Sequence, residues 1–278
     1  MVRPMQRCSS IPSGWPGVRW LAGVALTVAA IAATAERATS PEPMPHRVNT
    51  TKFTIDDVDG TKPFYEELLG MKELDRFVAP DFLVEPFMGF DQGGRIGLLA
   101  FSRNENIEKT RLPVSVVSVP DLAAIVARFE AASYPIERNP AEARAFATDP
   151  SGNVIEVVET EGLAKVSGAR LIVDDIEASL AFFAQAFGVK AARRERSYNF
   201  DEARLEFDAG MFLALYEAKP RAPFPRSDQP VVAIYSKEFD AVLTRVQAVG
   251  GRVRTFGEHM FLADDPSGNV VEVVRDRN

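Results

Sequence analysis

The chain repeats itself, and that repeat limits what it can fold into more than any other feature. Asp149-Pro-Ser-Gly-Asn-Val-Ile-Glu156-Val-Val returns as Asp265-Pro-Ser-Gly-Asn-Val-Val-Glu272-Val-Val, an offset of 265 − 149 = 116. Ile55-Asp-Asp-Val58 returns as Val173-Asp-Asp-Ile176, and Phe64-Tyr-Glu-Glu-Leu-Leu-Gly70 as Phe182-Phe-Ala-Gln-Ala-Phe-Gly188, both displaced by 173 − 55 = 118. Three landmarks in one order at nearly one spacing mark a tandem duplication. The copies run over 49–160 and 166–276, joined by a linker at 161–165.

Each copy divides again. The alternating run Lys52-Phe-Thr-Ile55 predicts a strand, and a helix follows with Phe64, Leu68 and Leu69 on its apolar face and Gly70 at its end. Strand-like runs come next at 72–78, 83–89 and 95–101. The second half opens on the β-branched run Val114–Val119, then a helix with Leu122, Ile125, Val126 and Phe129 at helical spacing. Two short strands close it around the turn Asp149-Pro-Ser-Gly152, where Pro suits the second position and Gly the fourth. The pattern is βαβββ, used four times. Asp56-Asp57 and Asp174-Asp175 stand where strand passes to helix, so they are read as N-caps rather than as a carboxylate pair.

A fourfold βαβββ repeat closed by Asp-Pro-Ser-Gly-Asn-φ-φ-Glu resembles the vicinal-oxygen-chelate superfamily, the glyoxalase, bleomycin-resistance and extradiol-dioxygenase group. The resemblance implies an α+β fold with two tandem domains whose curved mixed sheets make cup-like pockets. It also implies a divalent metal, held by a His or Gln on strand one, a carboxylate on strand four, a His on strand five and a Glu on the last strand. Carried over, the last position is Glu156 and Glu272. The others fall on Thr50 and Gly168, near Gly97 and Phe212 or Leu213, and near Val114 and Val231. None of these is a ligand of the kind divalent ions need, so the sequence assigns no metal site and no catalytic residue.

Strand alternation suggests what stands there instead. If Thr50 faces the cup, so does Lys52, and its repeat equivalent is Arg170. A buried carboxylate is costly unless a cation reaches it. The expected pairs are therefore Lys52–Glu156 and Arg170–Glu272, serving as a structural plug or as contacts for an anionic or carbonyl-bearing ligand. Tyr216 and Tyr235, with Tyr198 and Phe200, are candidate walls of the second cup. Of the two histidines, His46 reads as a solvated linker residue and His259 as a candidate ligand contact at the mouth of copy two.

The net charge of −7, with no basic run to neutralise phosphates, excludes a nucleic-acid partner. Residues 1–35 read as a signal peptide: Arg3, Arg7 and Arg19 precede the apolar run Trp20–Ala32, and Ala33-Thr34-Ala35 offers a small-residue cleavage site. Residues 36–48, rich in proline, read as a spacer. The only membrane association expected is through that N-terminal segment if it stays uncleaved. The single cysteine, Cys8, allows no internal disulfide in an exported chain. The reading that follows is an exported, metal-free, glyoxalase-like binder of a small organic molecule in a β-cup, with no cofactor. Two alternatives stand beside it: a divalent-metal-dependent lyase or dioxygenase, and a non-catalytic interaction module. A homodimer is left open, as is whether each cup forms within one copy or between copies.

Overall fold

The computed structural model describes residues 44–277, apart from 104–108, 110, 111, 113, 209, 222–224 and 226. The signal-peptide reading of 1–35 and most of the spacer lie outside the described residues. In copy one the elements are β1 (His46–Ile55), α1 (Val58–Pro63), β2 (Lys72–Ala79), β3 (Leu83–Gly89), β4 (Arg95–Phe101), β5 (Ser115–Val119), α2 (Leu122–Ala131), β6 (Glu137–Asn139), β7 (Arg144–Thr148) and β8 (Val154–Glu159). Copy two repeats them as β9 (Lys165–Ile172), α3 (Ile176–Phe187), β10 (Ala191–Arg196), β11 (Phe200–Leu205), β12 (Phe212–Ala218), β13 (Pro230–Ser236), α4 (Phe239–Ala248), β14 (Val253–Phe256), β15 (Met260–Asp264) and β16 (Val270–Arg275).

The helices begin and end where their sequence directs. Asp57, Asp121 and Asp175 accept backbone N–H groups at the starts of α1, α2 and α3. Gly188 closes α3 at φ 70°, a left-handed conformation that costs glycine little. The expected helix through Phe64 differs in form. α1 ends at Pro63 and the chain continues as one wide π-turn, Phe64–Leu68, with Leu69 N–H reaching Phe64 C=O.

The strands assemble into two eight-stranded mixed sheets, and the sequence copies are not the sheets. The first sheet runs β14-β15-β16-β13-β1-β4-β3-β2 and the second β10-β11-β12-β9-β5-β8-β7-β6. Each therefore joins the first half of one copy to the second half of the other, through antiparallel seams β1–β13 and β5–β9. The connection at 160–164 explains this. It is short, so β9 must emerge beside the half-copy that precedes it, and it docks on β5. Without these seams β1, β5, β9 and β13 would be open sheet edges.

The Asp-Pro-Ser-Gly-Asn turns then tie the sheets together. Asp149, buried, accepts the Tyr65 hydroxyl at 2.8 Å and the Asn153 amide at 2.9 Å, and Asn153 Nδ2 donates to Thr54 C=O at 3.1 Å. Burial pushes the Asp149 carboxyl above its ordinary range, against the pull of these hydrogen bonds. In copy two Asn269 Nδ2 donates to Ile172 C=O, and Ser267 Oγ accepts from the Asp174 N–H. The motif thus joins the halves of one copy across the two sheets. Helices of the same copy also meet, with Phe64 edge-on to Phe129 at 5.7 Å and α3 packed on α4. Fully buried rings such as Phe129 and Phe183 each contribute about 1.5–3 kcal/mol by leaving water.

β1 starts at His46, inside the expected spacer. The first strand claims these residues because Val48 is buried in the core and His46 finds a buried partner in Ser236 Oγ at 2.9 Å. His46 is therefore 1% exposed, and not a solvated linker residue. Burial pulls its pKa below the ordinary histidine value, Glu238 opposing from the surface.

The exchanged seams make a specific prediction for a lone copy. A chain of residues 44–160 carries β1 and β5 as open edges, so it should associate into a dimer that pairs them. Size-exclusion chromatography with light scattering checks this, and a stable folded monomer would contradict the exchange.

Candidate functional site

At the floor of each sheet a buried cation sits between two buried carboxylates. In the first sheet Lys52 Nζ on β1 lies 2.7 Å from Glu272 on β16 and 3.0 Å from Glu85 on β3. In the second, Arg170 on β9 reaches Glu156 on β8 at 2.5 Å through Nη1 and Glu202 on β11 at 2.7 Å through Nε. All six side chains are less than a tenth exposed. The structure pairs cation and acid opposite to the expected way: Lys52 with Glu272, Arg170 with Glu156. The reason is the seam, which brings the last strand of one copy beside the first strand of the other.

Glu85 and Glu202, the third members, were missed by sequence reasoning. Glu85 is a lone acid inside an otherwise apolar strand, a signal that could have found it, whereas Glu202 stands between Asp201 and Arg204 in a charged strand and carries no such signal. They occupy equivalent places, two residues before Phe87 and Arg204, which pair with Gly97 and Ala214. Gly97, at the strand-four ligand position of the resemblance, is glycine for a physical reason: a Cβ there would run into the Glu85 carboxylate. Gly168, at a strand-one position, makes room in the same way for the Phe212 ring. The sites a metal's ligands would hold are filled by other side chains.

The two triads carry charge differently. Burial opposes the charge on Lys52, but Glu272 and Glu85 outweigh it and hold the amine above its ordinary pKa. Arg170 is raised in the same way, burial opposing and Glu156 and Glu202 prevailing. Burial raises the Glu85 carboxyl and Lys52 only partly offsets it. Burial also works against Glu202, yet Arg170 and then Arg204 bring it below the ordinary range. Glu272 adds to the rise at Glu85, while at Glu202 Arg204, which stands where the first sheet has Phe87, adds to the pull of Arg170. Deleting the cation from a buried triad strands its acids, which costs about 3–5 kcal/mol in comparable sites.

The space above the two floors also differs. In the first sheet Arg95 lies 3.9 Å over the Phe87 ring, donates to Thr50 Oγ1 at 3.2 Å and to the Tyr235 hydroxyl at 2.8 Å, and so lies across the cup. Arg47 stacks on the Tyr235 ring at 4.5 Å. In the second sheet Ser118 stands where the first has Tyr235, since each lies two residues beyond the partner of the retained acid. There the cup is open, a cavity of about 2110 Å³ with Ser118, Phe146, Phe200, Phe212 and Tyr216 among its lining.

Of the residues singled out from sequence, Glu156, Arg170 and Tyr216 come together in this second-sheet cup, and Lys52 and Glu272 in the first. Tyr235 belongs to the first sheet, not the second cup, because copy two's second half pairs across the seam. Tyr198 is 92% exposed in the β10–β11 turn. His259 is not a cup residue. It is exposed in the β14–β15 turn, where the Arg277 guanidinium lies 3.0 Å from its ring nitrogens. The short turn carries it outward, past the strand end.

A divalent ion does not fit this donor set. Glu156 and Glu272, the residues at the last-strand ligand position, are engaged by Arg170 and Lys52, and a cation already occupies the point between the acids. Among the described residues no three His, Cys, Asp or Glu side chains gather to hold an ion.

A family model described as Glyoxalase/Bleomycin resistance protein/Dioxygenase superfamily matches residues 47–157 and again 165–273. A curated relative, probable lactoylglutathione lyase, chloroplastic, of Arabidopsis thaliana, is 26% identical over 156 residues, which is 51% of this chain and 44% of the relative. The match thus spans less than half of that relative's length. Glyoxalase I from Zea mays has a similar fold, with a TM-score of 0.66 at 22% identity over 83% of this chain and 92% of that one. So has a putative dioxygenase from Bacillus subtilis, with a TM-score of 0.61 at 15% identity over 85% and 87%.

The two acids should titrate with opposite sign. Glu85, raised in the fold, contributes stability below the ordinary carboxylate pKa and loses it as pH rises through its folded value. Glu202, lowered in the fold, contributes stability above that range and loses it as pH falls. Relative to wild type, Glu85→Gln should gain stability between about pH 3 and about pH 7, and Glu202→Gln should lose it. Urea unfolding across that range measures both, and curves that change in the same direction would contradict the assignment.

Proposed function

This chain belongs to the glyoxalase/bleomycin resistance protein/dioxygenase superfamily, and on that premise we propose that it takes a small organic molecule into its second-sheet cup and holds it there without a resident metal. The observation that carries this is the Arg170–Glu156–Glu202 triad at the floor of an open cavity. Metal-dependent chemistry needs an ion with open positions to polarise a substrate oxygen. Here a guanidinium occupies that place, leaving a polar floor and aromatic walls suited to binding.

A second reading has its own support. The resemblance to a probable lactoylglutathione lyase favours a metal-dependent lyase over a simple binder. For this chain to act so, an ion would have to displace Lys52 or Arg170 from both of its acids. That exchange breaks two buried, charge-assisted contacts in either triad. The geometry therefore supports the binding reading better, while the relative keeps the lyase reading in view.

One set of measurements separates them. We expect purified protein dialysed against buffer to hold well under one divalent ion per chain, and to show no lactoylglutathione lyase activity with added zinc or nickel. We expect a panel of small organic acids to contain members that raise its melting temperature, since a ligand at a hundredfold excess over Kd stabilises by about 2.7 kcal/mol. Ser118→Tyr, which copies the first sheet's Tyr235, should abolish that shift. Stoichiometric retained metal with lyase turnover would establish the second reading instead. Absence of both metal and any ligand shift would leave an interaction module.

We further propose that the chain is exported, on the strength of the charged, apolar and small-residue segments within 1–35. Protein recovered from outside the cytoplasm should begin near Glu36 on N-terminal sequencing, and recovery of intact chain only from the cytosol would contradict export.

A further inference from the structure

Charge is balanced at the floor of the first sheet and unbalanced at the floor of the second. Lys52 and Arg95 face Glu85 and Glu272 in the first. In the second, Arg144, Arg170 and Arg204 face only Glu156 and Glu202. Glu142 also touches Arg144, but it is 55% exposed and its charge is screened by water and salt. The floor thus holds one guanidinium more than it holds buried acids, in a cavity whose wider lining carries both signs.

The hydrogen bonds locate it. Arg170 is spent on the two acids. Arg144 donates Nη1 to Glu156 at 2.7 Å, and its guanidinium is ion-paired with Glu142 at 2.9 Å without a hydrogen bond from Nε. Arg204 gives only Nε, to Glu202 at 3.2 Å, and its terminal nitrogens have no partner among the described residues. Its guanidinium lies 4.2 Å over the Phe212 ring, which fixes the plane. Beside it, Phe200 and Tyr216 stack at 5.4 Å with their planes 17° apart, and all three rings line the same cavity.

We infer that Arg204 anchors the anionic group of a small aromatic monocarboxylate in the second-sheet cup. This rests on the ligand-binding reading proposed above. A guanidinium with one nitrogen engaged offers its remaining N–H groups as a fork that matches a carboxylate. Flat rings beside it favour an aromatic body. The first sheet has Phe87 in the place of Arg204 and Tyr235 in the place of Ser118, so of the two cups only the second carries this site among the described residues.

Calorimetric titration of the full chain with phenylacetate, and with phenylacetamide of the same shape and no charge, tests this. The acid should bind about tenfold or more tightly than the amide, with one molecule per chain. Arg204→Gln should bring the acid down to the affinity of the amide and leave the amide within about twofold. Arg95→Gln, in the closed cup, should change neither. Should Arg204→Gln disturb folding, raising salt from about 0.05 M to about 0.5 M on the wild type gives an equivalent measurement: the acid must weaken while the amide holds. Equal binding of acid and amide, or an acid preference that survives Arg204→Gln, would overturn the anchor while leaving the cup as a binding site. Binding of neither would overturn the anchor, and the cup reading falls with it only if the panel of organic acids also gives no shift.

Discussion

A carboxylate buried in a sheet must have a cation within reach, and in this fold each acid of the last strand finds its cation in the other copy. Glu272 of copy two is neutralised by Lys52 of copy one, and Glu156 of copy one by Arg170 of copy two. The same seams that complete these triads also cover the open edges of β1, β5, β9 and β13. Charge pairing and edge pairing therefore impose one topology. A copy alone would hold an unpaired strand edge in each of its halves, and its last-strand acid would lose the Lys52 or Arg170 that meets it across the seam. The short 160–164 connection settles which halves become neighbours, and the Asp-Pro-Ser-Gly-Asn turns bind the two sheets back together through Thr54 and Ile172.

Within this shared frame the two cups have diverged by a few exchanges. Both keep a cation between two acids, and both keep a guanidinium stacked on a phenyl ring. The stack is reversed, however: Arg95 lies over Phe87 in one and Arg204 over Phe212 in the other. With Tyr235 in the first sheet and Ser118 in the second, one cup is crossed by its own side chains and the other is open. The triads themselves explain why the family's metal has no ready place here. The acids that would ligate it are committed to cations, and Gly97 and Gly168 provide space for a carboxylate and a ring instead of donor atoms.

Much of this was legible in the residues. The repeat and its βαβββ division gave the fold class, because hydrophobic periodicity and turn chemistry are local properties. The capping role of Asp57 and Asp175 followed from their position before a helix. The cup-facing direction of Lys52 and Arg170 followed from strand alternation, since successive side chains point to opposite faces. Glu85 was visible as a lone acid in an apolar strand, Glu202 was hidden beside Asp201 and Arg204, and neither carried a motif. His46 misled because three nearby prolines mask the start of a strand whose only local sign is Val48.

The chain alone thus determined its elements, their fourfold order, and the loss of ligand-type residues at three of the four metal positions in each copy. Only the tertiary structure decided which cation meets which acid, which sheet owns Tyr235, and which cup is open. Those outcomes depend on strand partners far apart in sequence, at β1 and β13 or β5 and β9, and pairing of that kind is set by connection length and edge closure rather than by any local pattern.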